Sequence, residues 1–543
     1  MASLVVELYG TRAGVLAGPW RTFDFLPDAA AVNRFGIDSP ILSVAIPLTA
    51  VAVRSRKERR QNFFRELLPE GRMLTRLAQQ AGLAEQDVIG MLRAYGRDVA
   101  GALQIWDPDI PGEPKQPALE PLSSGDVAEM LGHVQDNPLG NKPLGGKTSL
   151  AGVQDKIVLA QSGEGWNRVI DGWPSTHILK PESRDYPTSI YDEEYGSRFA
   201  RAAGLTSFPT WIDDFAGVPT VVIERYDRSP NAPQGRIHQE DFNQVLGVAG
   251  NQKYQKYGGK VSLQRVAQVF STVGDHDSLE RLFRLVVVSV AVGNLDLHAK
   301  NISLLHLPDG SMTLSPAYDV VPQAHQPNDG EVALAVGGEY QHAALTMNHL
   351  VTEGHAWGLT EVADRAEDTL RTTLQLANAE APDNRAYTGL ARDISRFASN
   401  LLAGRTIGAS NQHRLLFRVR RASMTRAPRR LEAHRPGLQP RRQRVGHAAE
   451  GRYVVVHTRQ PGTHRVDRDV GGADGTPVLD RCQGGVEVAG VVDPALQADA
   501  GRIPAGLTRR LLDGAAGLVQ GGAWSDLREP AVSQAPDPLV GPR

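Results

Sequence analysis

Cysteine is nearly absent: Cys482 is the only one in 543 residues. No intramolecular disulfide can form, and neither a cysteine-built zinc site nor a redox pair can be assembled. No apolar run approaches the ~20 residues needed to span a bilayer, so no membrane partner is expected. The opening, Met1 to Tyr9, alternates apolar and polar residues like a first strand. It lacks the charged start, apolar stretch and small-residue cleavage site of a signal peptide. These absences predict a soluble, cytoplasmic protein. Neither sign of charge dominates, with 59 Lys and Arg against 61 Asp and Glu, so nucleic-acid binding by the whole surface is not indicated. Lysine runs out at Lys300, and beyond it the fixed positive charge is all arginine, concentrated between Arg414 and Arg444.

What is present divides the chain into several domains, at about 150 residues each. Residues 1–106 read as a small α/β unit, with a strand over Ile41 to Ile46 and helices over Gln61 to Leu67 and Met73 to Ala81. Five prolines between Asp107 and Pro121 interrupt regular pairing, so 107–147 is expected to be a linker. Residues 148–228 are strand-rich, with one amphipathic helix from Asp192 to Ala203 closed by Gly204. Over 229–404 helical patterns dominate, and Leu279 to Val292, nearly all apolar after Arg284, is expected to be buried. A hairpin interrupts them, Ile302 to Leu307 and Met312 to Leu314 joined by Pro308-Asp309-Gly310-Ser311. Over 405–543 the periodicity fades. An extension that is disordered or read out of frame competes there with an arginine-rich nucleic-acid-binding tail.

The most informative stretch is Gly293-Asn294-Leu295-Asp296-Leu297-His298-Ala299-Lys300-Asn301, between the buried helix and the hairpin. In protein kinases the catalytic loop carries an Asp that accepts the substrate hydroxyl proton and, five positions on, an Asn that ligates magnesium. Asp296 and Asn301 have that spacing, although such a pair also arises in loops that merely cap a helix or turn. Asp319 follows the hairpin and is the natural second ligand for a hard cation that prefers oxygen. Lys180 ends a strand-like run where kinases place the lysine gripping the α- and β-phosphates, and Glu194 is expected to pair with it. Glu224-Arg225-Tyr226 suits a hinge whose backbone bonds adenine. No Gly-x-Gly-x-x-Gly loop occurs, nor Phe-Gly after Asp319, nor Ala-Pro-Glu. In place of the glycine loop stands Thr148 to Lys156, a polar turn whose N–H groups and Lys156 can still converge on phosphate.

These residues, with Asn62-Phe63-Phe64, Leu67-Leu68-Pro69-Glu70-Gly71 and Gln239-Glu240-Asp241-Phe242, resemble in content and order the HipA family of bacterial toxin kinases over roughly residues 1–400. The resemblance implies an α+β, kinase-like bilobal fold: a strand-rich small lobe and a mainly helical large lobe, with an N-terminal α/β subdomain. It implies Asp296 as catalytic base, Asn301 and Asp319 as magnesium ligands, and Lys180 as the phosphate-gripping lysine. Ala151, Gly152, Val153, Gln154, Asp155 and Lys156 match the phosphate loop. Glu224, Arg225 and Tyr226 match the adenine-contacting hinge, His298 and Lys300 a phosphate-side contact, and Tyr318 the residue packing against adenine. Ser149 matches an autophosphorylation site whose modification ejects the loop and silences the kinase. ATP and Mg2+ are the implied cofactors. The implied partners are a HipB-like helix-turn-helix antitoxin, operator DNA reached mainly through it, and an aminoacyl-tRNA synthetase as protein substrate. A catalytically silent co-repressor and a kinase of lipid or small-molecule hydroxyls are the competing functions.

Overall fold

The computed structural model describes residues 3–49, 54–141, 147–163 and 165–410, together with two short strands, Asp480–Arg481 and Glu487–Val488. The chain divides into the units Met1–Thr425 and Arg426–Arg543, and in the second those two strands pair antiparallel. Beyond residue 410 the expectation of a disordered or out-of-frame tail lies otherwise outside the described residues.

The N-terminal subdomain opens with β1 (Ser3–Leu8), β2 (Thr11–Ala17) and β3 (Asp24–Pro27), followed by α1 (Ala29–Phe35), α2 (Lys57–Arg65), α3 (Gly71–Ala81), α4 (Val88–Tyr95) and β4 (Leu103–Trp106). The strands form one antiparallel sheet in the order β3-β2-β1-β4. Phe63 and Phe64 of α2 are fully buried against it with Phe25 of β3. Ile41 to Ile46 is not a strand. Its apolar residues other than the half-buried Val44 are buried, but the segment is irregular, bracketed by Pro40 and Pro47, and its polar groups are satisfied from elsewhere. Ser43 Oγ and the Val44 N–H donate to the Glu240 carboxylate at 2.6 and 2.9 Å. Burial alone produced the apolar pattern that reads as a strand.

The stretch expected to be a linker instead carries β5 (Ala118–Leu122) and α5 (Ser124–Gly132), the helix capped by Ser123 and Asp126. β5 is the edge of a six-stranded antiparallel sheet with β6 (Ile157–Ser162), β7 (Gly165–Ile170), β8 (His177–Pro181), β9 (Thr210–Phe215) and β10 (Val218–Glu224), in the order β5-β7-β6-β8-β10-β9. An edge strand tolerates the missing N–H of Pro121, so proline there breaks nothing. The amphipathic helix α6 (Ser189–Ala202) lies between β8 and β9 in the chain.

The large lobe contains β11 (His238–Asp241), α7 (Phe242–Leu246), α8 (Leu263–Val273), α9 (His276–Val292), β12 (Ser303–His306), β13 (Met312–Leu314), β14 (Glu331–Val336), β15 (Glu339–Gln341), α10 (Met347–Ala356), α11 (Val362–Ala379) and α12 (Leu390–Leu402). α9 is the buried central helix that its composition predicts. Asp275 caps its first turn and Gly293, at φ 75°, ends it in the left-handed conformation that glycine adopts without penalty. The predicted hairpin is β12 and β13, joined by β11 on its free side. The lobe does not stop at Gly404: Ile407 is fully buried and its N–H donates to Leu345 O at 2.9 Å. The fold is therefore α+β and kinase-like, a strand-rich small lobe and a mainly helical large lobe with an N-terminal α/β subdomain. Among the described residues no helix is long and apolar enough to cross a membrane.

Candidate active site

A cleft between the six-stranded sheet and the large lobe is lined by Lys156, Lys180, Glu193, Tyr226, Asp296, Asn301, Tyr318 and Asp319. On its floor the chain leaves α9 at Gly293 and is braced by its own side chains. Asn294 Oδ1 accepts the Asp296 N–H at 3.1 Å, and Asn301 Nδ2 donates to Asp296 O at 2.9 Å. With its nitrogen turned inward, Asn301 keeps its amide oxygen as an acceptor. The Asp296 carboxylate accepts from the Tyr254 hydroxyl at 3.2 Å and lies 3.9 Å from His298 Nε2. Burial in the cleft, helped by the charge of Asp319, pushes its carboxyl up to about 6. Its side chain still keeps 39% of its surface exposed, so a hydroxyl can reach it.

Asp319 has φ 56°, an uncommon backbone conformation for a non-glycine residue. Its Oδ1 lies 3.2 Å from Lys180 Nζ. Burial alone would raise its carboxyl, but Lys180 and Lys156 outweigh that and hold it below the ordinary carboxylate range. It is thus ionised at neutral pH. Lys180 also lies 2.7 Å from Glu193 Oε1, so one ammonium bridges α6 and Asp319. Burial opposes its charge, yet the two carboxylates hold it above the ordinary lysine value. The partner expected for Lys180 was Glu194; the structure puts Glu193 there and turns Glu194 to Arg198 at 2.8 Å. Successive helical residues point about 100° apart, so only one of two adjacent acids can face the sheet.

Gly196, one turn along α6, explains how close that helix comes: a Cβ there would lie 1.9 Å from Val320 O. In the phosphate loop, Gly152 has φ 114° and an added Cβ would lie 2.5 Å from Lys156 Nζ. That ammonium donates to Ala151 O at 3.0 Å, and burial with the nearby charge of Lys180 depresses it to about 8. Ala151, Gly152, Val153 and Gln154 also line the cleft, whereas Asp155 turns to Gln135 at 3.1 Å. Tyr226 and Tyr318 pack with ring centroids 5.4 Å apart, and the Tyr318 hydroxyl bonds to Ser303 Oγ and Lys300 O.

Three predicted residues are held by partners within the protein. The Arg225 guanidinium bonds Asp227, Ser175 and Val99 O, and its N–H donates to Thr176 O, so it braces the hinge. Glu224 beside it lines the cleft. Lys300 Nζ lies 2.8 Å from both Glu66 and Glu70 and is engaged with them. Ser149 is fully buried, its N–H on Asp98 O at 3.0 Å and its Oγ donating to Leu67 O at 2.8 Å. His298 is buried with Nδ1 unpaired among the described residues, and burial depresses it to about 3, so it is neutral. Sequence reasoning missed Glu193, Tyr254 and the roles of Glu66 and Glu70. The two last lie in or beside a stretch that carries the resemblance, but nothing local marks Tyr254.

Among the described residues no three His, Cys, Asp or Glu converge as a metal cage. One carboxylate and one amide oxygen, Asp319 and Asn301, instead fit magnesium, which keeps waters and takes further oxygens from phosphate.

Comparison with known proteins agrees with this fold. The HipA N-terminal domain model matches residues 4–106 and the HipA-like C-terminal domain model residues 148–381. Y4mE of Sinorhizobium fredii, a kinase by name, is 33% identical over 307 residues, covering 54% of this chain and 72% of the relative. The serine/threonine-protein kinase toxin HipA of Shewanella oneidensis is 26% identical over 319 residues, 55% of this chain and 71% of that protein. A chain from the Shewanella oneidensis MR-1 complex of HipA, HipB and operator DNA superposes with a TM-score of 0.59 at 22% identity, covering 74% of this chain and 96% of that one. With both domain models matched in order around a kinase-like cleft, the chain belongs to the HipA family.

Proposed function

We propose that the protein is an ATP- and magnesium-dependent serine/threonine protein kinase, acting as the toxin of a toxin–antitoxin pair. The observation that carries this reading is Lys180, held between Glu193 and Asp319 across from Asp296 and Asn301. In that position its ammonium meets the α- and β-phosphates, while the N–H groups of Ala151 to Gln154 and the Lys156 ammonium face the rest of the triphosphate. Tyr226, Tyr318 and the hinge backbone at Glu224 form the adenine side. Asn301 and Asp319 would hold magnesium, which would supply neutralisation of the negative charge that develops in the transfer. Asp296 orients the acceptor hydroxyl and takes its proton as the oxygen bonds to the γ-phosphorus and ADP leaves.

The protein acceptor is an aminoacyl-tRNA synthetase and the regulator a HipB-like helix-turn-helix antitoxin, on the strength of family membership. Ser149 is the autophosphorylation site; because it is buried, the loop has to leave its seat to be modified. Incubation with labelled ATP and cell lysate tests the whole reading. A labelled synthetase that disappears with Asp296→Asn supports it. Label on no protein, together with antitoxin-dependent operator binding, would mark a silent co-repressor instead.

A further inference from the structure

Leu67 to Glu70 carry part of the family resemblance, yet with Glu66 beside them they belong to the N-terminal subdomain and take no part in the transfer proposed above. Glu66 to Glu70 form the short turn between α2 and α3, stiffened by Pro69. One side of the turn holds the phosphate loop. Leu67 O accepts from Ser149 Oγ at 2.8 Å, and the Glu70 N–H donates to Gly152 O at 3.3 Å. The other side holds the catalytic loop. Lys300 Nζ lies 2.8 Å from Glu66 and 2.8 Å from Glu70, and Lys253 Nζ lies 2.8 Å from the second oxygen of Glu70. Two carboxylates and two ammoniums thus close one ion group, buried except at Glu70, whose side chain is 23% exposed. The side chains of Glu66 and Lys300 are only 4% and 5% exposed.

We propose that this turn is a two-sided clamp, in which Glu66 and Glu70 are positioning residues that hold the catalytic loop through Lys300 while the same backbone holds the phosphate loop, so that the two loops are seated or released together. Removing one member of a buried ion group leaves an uncompensated charge, so the group is held as a unit. A five-residue turn that carries a proline and is bonded to both loops passes a shift on one side to the other. The N-terminal subdomain is then a working part of the phosphotransfer site, and Lys300 acts through Asn301 and not on phosphate. The inference rests on the kinase reading for its meaning but not for its test.

The test is amide hydrogen exchange, read by mass spectrometry, on the full chain without nucleotide. Glu70→Gln leaves the hydrogen bonds between the turn and the 149–156 loop untouched, since the turn makes them with its backbone alone. The clamp requires exchange over 149–156 to rise at least 10-fold in this variant, together with 296–301, while the sheet peptide 3–17 keeps its wild-type rate. Acceleration of 296–301 alone overturns the coupling, and acceleration of 3–17 as well reduces it to general loosening. Should Glu70→Gln fail to fold, Lys253→Met cuts the same carboxylate from the cleft side, and a wild-type rate over 149–156 there also overturns the clamp. Exchange needs no ATP, so a wild-type protein without kinase activity would discard the proposed reaction while these rates still decide the clamp.

Discussion

Tyr254 reaches the candidate base from a segment that no motif identifies. Its hydroxyl donates to Asp296 Oδ1, and its ring meets His298 edge-on at 5.3 Å. A donated hydrogen bond favours the ionised carboxylate, opposing the burial that raises it. A raised carboxyl is charged above its pKa and protonated below it, so kcat/KM, which reports the free enzyme, should fall as pH drops through about 6. Tyr254→Phe keeps the ring and loses only the donor. Its acid limb should move to higher pH and its turnover fall about 10-fold, the size of a hydrogen bond to a charged group, with ATP affinity within about twofold of wild type. A wild-type pH profile in this variant would remove Tyr254 from the site. Asp319→Ala differs in kind: it removes a candidate metal ligand, so turnover and magnesium-dependent nucleotide binding should fall together. Isothermal titration with and without magnesium separates the two effects.

At the scale of elements, α6 is set by contact as much as by its own amphipathic pattern. Gly196 lets α6 approach Val320, immediately after Asp319, and the same helix brings Glu193 to Lys180. Gly196→Ala forces the helix away, and overpacking of this kind costs about 1–3 kcal/mol. The expected signature is a lower melting temperature with a KM for ATP raised several-fold, since Glu193 withdraws with the helix. An unchanged KM would mean that Lys180 is seated without α6. The end of the large lobe is a second case. Asn400 Nδ2 donates to Ile407 O at 3.0 Å and to Ala409 O at 2.9 Å, so 405–410 closes over α12. A chain ending at 410 should keep full stability, whereas one ending at 404 should unfold at lower denaturant. Ile407→Ala in the longer chain should cost about 2–5 kcal/mol by chemical denaturation.

For the whole molecule, the seat of Ser149 joins all three parts. It bonds backward to Leu67 and Asp98 of the N-terminal subdomain and lies next to the loop that faces the large lobe. A phosphate there brings about −1.5 to −2 charges into a site with no room for them. Against a bound triphosphate, each unit pair at ~4 Å costs on the order of 4 kcal/mol at an effective dielectric of ~20. Protein held with magnesium and ATP should gain phosphate at Ser149 by mass spectrometry and progressively lose nucleotide affinity, and Asp296→Asn should do neither. An active enzyme with Ser149 unmodified after prolonged incubation would contradict this.

Some of this protein is decided within a few residues of chain. The apolar run that becomes α9, its glycine cap, the Asp296 to Asn301 spacing and the turn between β12 and β13 obey local rules of periodicity, capping and turn chemistry. They are legible without coordinates. Other features depend on which surfaces meet. Whether Glu193 or Glu194 faces Lys180 depends on the rotation of α6 against the sheet, and Lys180 meets Asp319 across 139 residues of chain. Lys300 finds Glu66 across 234 residues, turning a residue that resembles a phosphate contact into part of a buried ion group. Proline count made a linker of β5 because edge position, which forgives proline, is a property of the sheet. Ile407 reads as the start of a tail until the groove that buries it exists. Local propensity acts over one or two turns, whereas burial and ion pairing are settled only when distant segments pack, and most of this cleft is built from the second kind.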